Sequence, residues 1–386
     1  MPAFRLGILL PASNAHPALA DNLLQGTRLA IAETQTDIGA WKIELIPVEV
    51  TSDPRTFPST VSKLYAVQNC HAVMGPVNSG ILTTMKESLQ SEGRPFISTT
   101  TGANMARPPE SMRNLFRVSL GYWRSTYALG KWAAETVGQR AYIATTLLEA
   151  GFDSNGTFYC GYGDGGAVDY RFCVADAPDF NLRTEPFIAD LQTYQPTFLY
   201  LSAIGSKAIT LLKDLHDAGI LAGLPVLSTG FYTELPWGHK LGDAALGIRN
   251  CFTWAASLDL PENHSFTSAF QQQTTRSADS FALLGYETGK LVAQAIAKSG
   301  TDADDPESLI QSLESGSFAS PRGKVAMDPV SHVLGGPLYL RQVVKAGKSL
   351  SHEILGTLPS PGEFDPCVGS MLSNPASGWY NEHICT

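Results

Sequence analysis

The sequence predicts an α/β protein built from two doubly wound, Rossmann-like lobes that are joined by a hinge of several crossing segments. Three observations point to this fold class. Short apolar strands alternate with amphipathic helices through most of the chain, and the alternation begins again near residue 140. The 386 residues also exceed what one ordinary hydrophobic core supports.

In the first half of the chain, five short apolar runs are predicted as strands, and the segments between them have the spacing of amphipathic helices. The predicted strands cover residues 4–10, 41–48, 72–74, 95–98 and 115–117. The predicted helices cover residues 18–33, 59–66 and 81–91. Alternation of this kind is typical of a parallel sheet covered by helices.

The second half repeats this pattern with five more strands. The predicted strands cover residues 141–145, 167–173, 197–201, 225–228 and 245–253, and the predicted helices cover residues 127–137, 206–218 and 280–298. Within one of these helices the apolar residues Ile209, Leu212 and Leu215 fall at helical spacing, and Gly219 is a suitable C-cap. We therefore expect a second lobe that resembles the first.

The division into lobes follows from the order of these elements. The first lobe is expected to comprise residues 1–121 and 255–335, and the second lobe residues 122–254 and 336–386, including a docked C-terminal tail. The long helix over residues 280–298 needs a partner sheet and is assigned to the first lobe. Several crossings between the lobes would restrict them to opening and closing about one axis.

Composition excludes several classes of function. A net charge of −9 and a pI near 5.4 argue against nucleic-acid binding, which favours a basic surface. No apolar run approaches the ~20 residues that a membrane-spanning helix needs. The eight histidines are scattered and no cysteine pair has metal-binding spacing, so we predict neither a metal site nor a cofactor.

One glycine-rich segment, residues 161–166, matches the letters of the dinucleotide-binding motif G-x-G-x-x-G. That motif follows a strand and opens a helix. Here the glycines follow a predicted helix over residues 154–159 and precede a strand. The segment is therefore predicted to be a turn that ends the helix.

Two strand ends in the first lobe carry hydroxyl and amide side chains. The third predicted strand runs into Asn78 and Ser79, and the fourth runs into Thr100 and Thr101. In a parallel sheet both loops lie at the carboxyl edge, where ligands bind, and a helix starting near Ser79 offers free N–H groups to an anion. The alternative is structural, with Ser79 as a helix cap and the threonines present for their β-propensity.

Loops of the second lobe are predicted to face the same crevice. Together with two aromatic residues at the first crossing, their candidate ligand-binding residues are Tyr122, Trp123, Leu148, Ala150, Ser202, Ala203, Phe231 and Tyr232. Phe231 and Tyr232 are the strongest wall candidates, because large aromatic side chains supply apolar area. Tyr122 and Trp123 either form a wall of the crevice or pack the hinge.

Four of the six cysteines suggest disulfides. Cys367 and Cys385 lie in a tail rich in Pro, Gly and Ser, where a disulfide would compensate for the lack of a core. Cys160 and Cys173 flank the glycine-rich segment and are a second candidate pair. The alternative for each pair is buried free thiols.

Taken in order, these motifs resemble type I periplasmic binding proteins, and more narrowly the branch that binds branched-chain amino acids (Leu/Ile/Val) and amides. Residues 75–79 match the family's G-P-x-x-S turn, and residues 95–98 with the following threonines match its second ligand loop. Residues 115–117 resemble its F-R strand, and residues 149–153 its x-A-G-x-D loop. The resemblance extends to about residue 345.

The resemblance implies a two-lobed clamp in which Ser79, Thr100 and Thr101 bind a ligand carboxylate and amine. In the family the second lobe often adds an acid that holds the amine. Here Phe231 and Tyr232 stand at that position, and Leu148 replaces an expected aromatic residue. The ligand class therefore stays open between an amino acid, an amide and an aromatic acid.

The function implied by the resemblance is that of a solute-binding protein of an ABC importer. Its partners would be a small molecule and a permease in the inner membrane, and it would be a non-enzymatic monomer without a cofactor. We expect a periplasmic location, with a signal peptide removed before Met1. The alternative is a cytosolic or receptor-type ligand sensor on the same fold. A third candidate, an enzyme, is disfavoured because the loops at one sheet edge offer no paired nucleophile and base.

Overall fold

Two mixed β-sheets, each with helices on both faces, organise the chain in the computed structural model. The structure describes all residues except 1, 14, 15, 52, 78, 104–111, 147–151, 177, 178, 180, 204, 235–237, 363–368 and 371–386. The predicted class of two doubly wound α/β lobes is confirmed.

The first sheet has eight strands and is mostly parallel. Its strands are β1 (Ala3–Pro11), β2 (Lys42–Val50), β3 (Ala72–Gly75), β4 (Phe96–Thr100), β5 (Leu115–Ser119), β11 (Ser317–Ser320), β12 (Gly323–Met327) and β13 (Val333–Gly335). They are hydrogen-bonded in the order β11-β12-β13-β5-β4-β3-β1-β2. The carboxyl ends of β1, β3 and β4 therefore lie side by side at one edge.

The second sheet has seven strands. They are β6 (Arg140–Thr145), β7 (Asp169–Val174), β8 (Phe198–Ser202), β9 (Val226–Thr229), β10 (Arg249–Phe252), β14 (Leu338–Ala346) and β15 (Ser349–Leu358). Their order is β15-β14-β10-β9-β8-β6-β7, with β14 and β15 antiparallel to their neighbours. The carboxyl ends of β6, β8 and β9 meet at one edge, and β7 is a free edge strand.

Helices fill the space on both faces of each sheet. Those beside the first sheet are α1 (Leu19–Thr34), α2 (Phe57–Ala66), α3 (Ser79–Glu92), α9 (Pro261–Thr274), α10 (Ser280–Ser299) and α11 (Pro306–Glu314). Those beside the second are α4 (Tyr122–Thr136), α5 (Phe152–Asp164), α6 (Thr184–Tyr194), α7 (Gly205–Asp217) and α8 (Gly238–Leu241). Within the described residues, the chain passes between the sheets at 119–122, 252–261 and 335–338.

Helix pairs approach at backbone contact where glycine replaces a larger side chain. A Cβ atom at Gly26 of α1 would overlap the carbonyl oxygen of Ala282 in α10, and one at Gly285 would overlap that of Leu23. Helices α1 and α10 therefore pack closely against each other. None of the helices in the described part of the chain is long and apolar enough to cross a membrane.

The glycine-rich segment behaves differently from its predicted turn. Helix α5 continues through Gly161 and Gly163 to Asp164 and ends at Gly165 and Gly166. A Cβ atom at Gly161 would overlap the carbonyl oxygen of Tyr127 in α4. The glycines within the helix thus serve close packing of α4 and α5, which the letters of the motif did not reveal.

Other element boundaries also differ from the prediction. Helix α4 begins at Tyr122 instead of residue 127, directly after Gly121, whose φ of 59° starts the helix from a left-handed conformation. The predicted strand 245–253 is shortened to β10, because a 3₁₀ turn over Gly242–Ala245 and Gly247 at φ 83° interrupt it. Helices α6, α9 and α11 and strands β11, β13 and β15 were not predicted.

Candidate functional site

The loop after β4 of the first lobe meets the start of α4 at the first crossing between the lobes. The amide N–H of Tyr122 donates to the carbonyl oxygen of Thr101 at 3.1 Å, and that of Trp123 donates to Gly102 at 2.9 Å. Gly102 is required here, since its φ is 74° and a Cβ atom would collide with Ser119. These contacts hold Thr101, Tyr122 and Trp123 close together, and their predicted role in ligand binding stays a prediction.

Buried hydroxyl groups without a hydrogen-bond partner cluster at the strand ends. Members of this cluster are the hydroxyls of Thr101 after β4, Tyr122 at the start of α4, Tyr200 within β8, Ser202 at the end of β8 and Thr229 at the end of β9. The hydroxyl of Tyr122 lies near that of Thr229 but does not form a hydrogen bond with it. A buried polar group left unpaired costs about 1–3 kcal/mol, so a ligand or ordered water that hydrogen-bonds to these hydroxyls would stabilise this region.

The tyrosines of this cluster are neutral donors. Burial raises the pKa of Tyr122 above its usual value of 10, and it raises the pKa of Tyr200, which faces Ser202 and Tyr122. Tyr200 was not a candidate from the sequence, because it lies inside β8 and not in the loop that follows it. Its ring stacks on Phe158 at 3.7 Å between centroids, which fixes the position of its hydroxyl.

Phe231 joins the two lobes. It follows β9 in the second lobe and packs edge-on against Tyr122 at 5.8 Å between ring centroids. Its ring also lies 6.3 Å from His16 after β1 and 6.3 Å from Phe281 at the start of α10, both in the first lobe. The predicted role of Phe231 as an aromatic wall stays a prediction, and its placement between the lobes is consistent with it.

His16 is a residue that the sequence argument missed. It is 5% exposed and packs against Phe281 at 5.0 Å between ring centroids. A signal was present, because His16 follows the first strand and so reaches the same carboxyl edge as Ser79 and Thr101.

Two other predicted residues lie in the core of the second lobe. Tyr232 is 2% exposed, and its hydroxyl donates to the carbonyl oxygen of Ala208 in α7 at 2.7 Å. Ala203 is buried in the same hydrophobic cluster. Both side chains contribute to the core of the second lobe, and their predicted contacts with a ligand stay predictions.

The remaining candidates can be placed only in part. Thr100 is buried at the end of β4, and Ser79 begins α3. Asn78, Leu148 and Ala150 lie outside the described residues.

An acid that sequence reasoning overlooked lies three residues beyond Phe231. Glu234 is buried and pairs with Arg341 of β14, with 2.7 Å between Oε1 and Nη1. Burial raises the pKa of Glu234, and the charge of Arg341 opposes that rise. Arg341 is held in turn by Asn250 at 2.8 Å and by the carbonyl oxygen of Trp254. The carboxylate of Glu234 is therefore neutralised inside the protein.

A second buried ion pair ties the hinge together. The guanidinium of Arg322 binds both carboxylate oxygens of Glu287 in α10, at 2.6 and 2.9 Å. It also donates to the hydroxyl of Thr253 at 2.7 Å, and that hydroxyl donates to the carbonyl oxygen of Pro337 at 3.0 Å. Two of the crossings between the lobes are thereby linked through one side chain.

The cysteines contradict one of the two predicted pairings. Cys173 carries a free thiol, so the predicted Cys160–Cys173 disulfide is wrong. Its thiol lies near the hydroxyl of Tyr142. The predicted Cys367–Cys385 pair lies outside the described residues. Cys70 and Cys251 are buried free thiols, and burial raises the pKa of Cys70 to about 11.

The part of the chain that the structure describes contains no group of three or more potential metal ligands. Buried hydroxyls and aromatic rings lie instead where the chain crosses between the lobes. Proteins with two α/β lobes typically bind a small molecule in the crevice between them.

The periplasmic binding protein family matches residues 3–348, and the chain belongs to this family. Among curated proteins it is similar to a Leu/Ile/Val-binding protein homolog of Brucella melitensis. The two are 22% identical over 352 residues, which cover 89% of this chain and 88% of the relative. The resemblance inferred from the motifs is confirmed.

Solved structures share the fold. An ABC transporter substrate-binding protein from Sphaerobacter thermophilus superposes with a TM-score of 0.83 at 21% identity, covering 93% of this chain and 98% of that one. A solute-binding protein of an ABC transporter from R. palustris, in complex with benzoate, gives a TM-score of 0.74 at 24% identity, covering 95% and 99%. At these identities the likeness establishes the fold alone.

Proposed function

We propose that this protein is the extracytoplasmic solute-binding component of an ABC importer and that it binds a small aromatic carboxylate between its lobes without altering it chemically. The observation that carries the proposal is the set of buried, unpartnered hydroxyls of Thr101, Tyr122, Ser202 and Thr229. Three of them lie at strand ends and Tyr122 lies at the start of α4, and we propose that all four face one crevice.

A carboxylate suits these hydroxyl groups. Each of its oxygens accepts hydrogen bonds, and a hydrogen bond to a charged group contributes about 1.5–3 kcal/mol. Hydroxyls that stay protonated can only donate to such a ligand, and the raised pKa of Tyr122 keeps it in that state at neutral pH. We propose that Ser79 and Thr100 add contacts from the first lobe.

An aromatic ring suits the apolar side of the crevice. Phe231 lies with Tyr122 in a set of edge-on ring contacts that extends to Phe281 of the first lobe. A flat ligand ring that enters this set gains contacts of the same kind, worth about 0.5–1.5 kcal/mol for each pair. The benzoate complex of the R. palustris relative supports this choice.

An α-amino acid suits the described residues less well. Its ammonium group needs a carboxylate partner, and the acid that follows β9, Glu234, is already paired with Arg341 at 2.7 Å. Turning Glu234 toward a ligand would leave the buried guanidinium of Arg341 without its counter-charge, at a cost of about 3–5 kcal/mol.

The proposal also includes delivery of the bound ligand to a permease. Ligand binding would shift the population toward a closed arrangement of the lobes, which an inner-membrane permease recognises. The protein would act as a periplasmic monomer. Residues 1–121 with 255–335 would form the first lobe, and residues 122–254 with 336–386 the second.

The test is isothermal titration of protein that has been unfolded and refolded to remove bound solutes. The panel contains benzoate, 4-hydroxybenzoate, benzamide and leucine. We expect a benzoate to bind with a dissociation constant in the micromolar range or below, about −8 kcal/mol. Tighter binding of leucine than of any benzoate, or no heat with any compound, would refute the proposal.

A further inference from the structure

The free edge of the second sheet exposes an unusual apolar stripe. Strand β7 contains Tyr170, Phe172 and Val174, and Val168 directly precedes it; their exposed fractions are 48%, 45%, 37% and 87%, respectively. Side chains alternate along a strand, so these four share one face. Exposed edge strands of soluble proteins are normally protected, and a contiguous apolar patch marks a contact surface.

The stripe faces the layer that contains α4 and α5. The intervening residues Asp169 and Arg171 make polar contacts with α6 on the opposite face. On the stripe's own side, the ring of Tyr159 in α5 lies 4.7 Å from that of Tyr170 and 6.0 Å from that of Phe172 between centroids. The surface is thus continuous with the outer side of α5.

The next residue on α5 is Cys160, which is disulfide-bonded. Three of the other five cysteines carry free thiols, namely Cys70, Cys173 and Cys251. Within one chain this leaves Cys367 or Cys385 as the partner, and both belong to the C-terminal tail.

The tail starts on the correct side of the sheet to reach this surface. Strand β15 ends at Leu358, whose side chain packs on the same hydrophobic cluster as Tyr159. Cys367 follows nine residues later. Nine extended residues span about 30 Å, and the six spacings across a seven-stranded sheet also amount to about 30 Å. The connection therefore needs no rearrangement of β15.

We propose that the C-terminal tail, residues 363–386, is a strap that covers the apolar stripe of β7 and is fixed to α5 by a disulfide between Cys160 and a tail cysteine. The tail contains Trp379 and Tyr380, which would match the aromatic side chains of the stripe. The disulfide joins the two Sγ atoms, releases two protons and passes two electrons to a disulfide oxidant, which becomes a dithiol. Such a bond persists in an oxidising compartment.

Peptide mapping without reduction tests the covalent part. The full chain is refolded with oxidised glutathione, free thiols are blocked, and the digest is analysed by mass spectrometry. We expect a peptide that contains Cys160 joined to one that contains Cys367 or Cys385. A blocked Cys160, or a peptide pair that joins Cys367 to Cys385, would overturn this assignment.

Limited proteolysis tests the covering of β7. Chymotrypsin cleaves after Trp379 and Tyr380, and we expect Phe172→Asp to accelerate this cleavage about tenfold or more, because the docked tail must open before it is cut. The control is Val67→Asp, which changes an apolar residue of 68% exposure beside the first sheet. Equal cleavage rates in the two variants, measured well below their unfolding midpoints, would overturn the docking.

The disulfide has its own matched pair of variants. Cys160→Ser is expected to accelerate cleavage of the tail, whereas Cys173→Ser, which removes a free thiol on the neighbouring strand, is expected to leave the rate unchanged. The same rate in both variants would show that Cys160 does not hold the tail.

Discussion

Replacing Tyr122 by Phe separates a ligand-binding hydroxyl from a structural one. The substitution removes a single oxygen atom that is buried and has no hydrogen-bond partner in the described part of the chain. Without ligand, the protein loses nothing by this change, because an unpaired buried hydroxyl costs about 1–3 kcal/mol to bury. We therefore expect the free energy of unfolding to stay constant or to rise.

With ligand, the same change removes a hydrogen bond to a carboxylate, which is worth about 1.5–3 kcal/mol. That loss corresponds to a dissociation constant raised about tenfold to a hundredfold. Titration with benzoate measures the affinity, and urea unfolding of the unliganded protein measures the stability.

The matched control is Tyr232→Phe. Its hydroxyl donates to the carbonyl oxygen of Ala208 at 2.7 Å inside the second lobe. This variant is expected to lose about 1 kcal/mol of stability with an unchanged affinity. If Tyr122→Phe lost stability like the control and kept its affinity, the assignment of the unpartnered hydroxyls to a ligand would be refuted.

Three further predictions concern stability, measured by urea unfolding. Glu234→Gln is expected to cost about 3–5 kcal/mol, since the buried guanidinium of Arg341 loses its counter-charge; a loss below about 1 kcal/mol would contradict the pairing. Burial raises the pKa of Asp279 from 3.8 to about 6, so the folded protein binds a proton more strongly than the unfolded chain, and stability falls as pH rises from about 4 to 6. Asp279→Asn should remove about 3 kcal/mol of this pH dependence. Identical profiles of stability against pH in the variant and the wild type would contradict the raised pKa of Asp279. Gly26→Ala should cost at least about 2 kcal/mol, because its Cβ overlaps the carbonyl oxygen of Ala282; wild-type stability would show that α1 and α10 do not touch.

The alternation of apolar strands with amphipathic helices was sufficient to predict the fold. A parallel strand buried on both faces is apolar along its whole length, as in β3 and β8, so its position is visible without any tertiary information. The carboxyl-edge rule then predicted that Thr101 and Ser202 face one crevice, and both residues lie at carboxyl ends of strands. The helices that escaped prediction, such as α9, are largely polar on the surface and gain their stability from packing on the first lobe.

Details of the site depended on contacts between distant residues. The sequence around Glu234 does not predict its ion pair with Arg341, because the two residues are far apart in the chain and meet only when the 3₁₀ turn packs against β14. The difference between Phe231 and Tyr232 has the same origin, since the direction of each side chain is set by the local turn after β9. The partner of Cys160 was also mispredicted. Cys173 is near Cys160 in the sequence, but its side chain lies on the face of β7 that points away from α5.

A crystal structure of the protein with benzoate tests the central claim most directly. The account predicts density between the lobes with a carboxylate oxygen about 3 Å from the hydroxyl of Tyr122, Ser202 or Thr229 and with the ring against Phe231. Benzoate bound elsewhere, or ordered water satisfying these hydroxyls in a crevice that excludes the ligand, would contradict it.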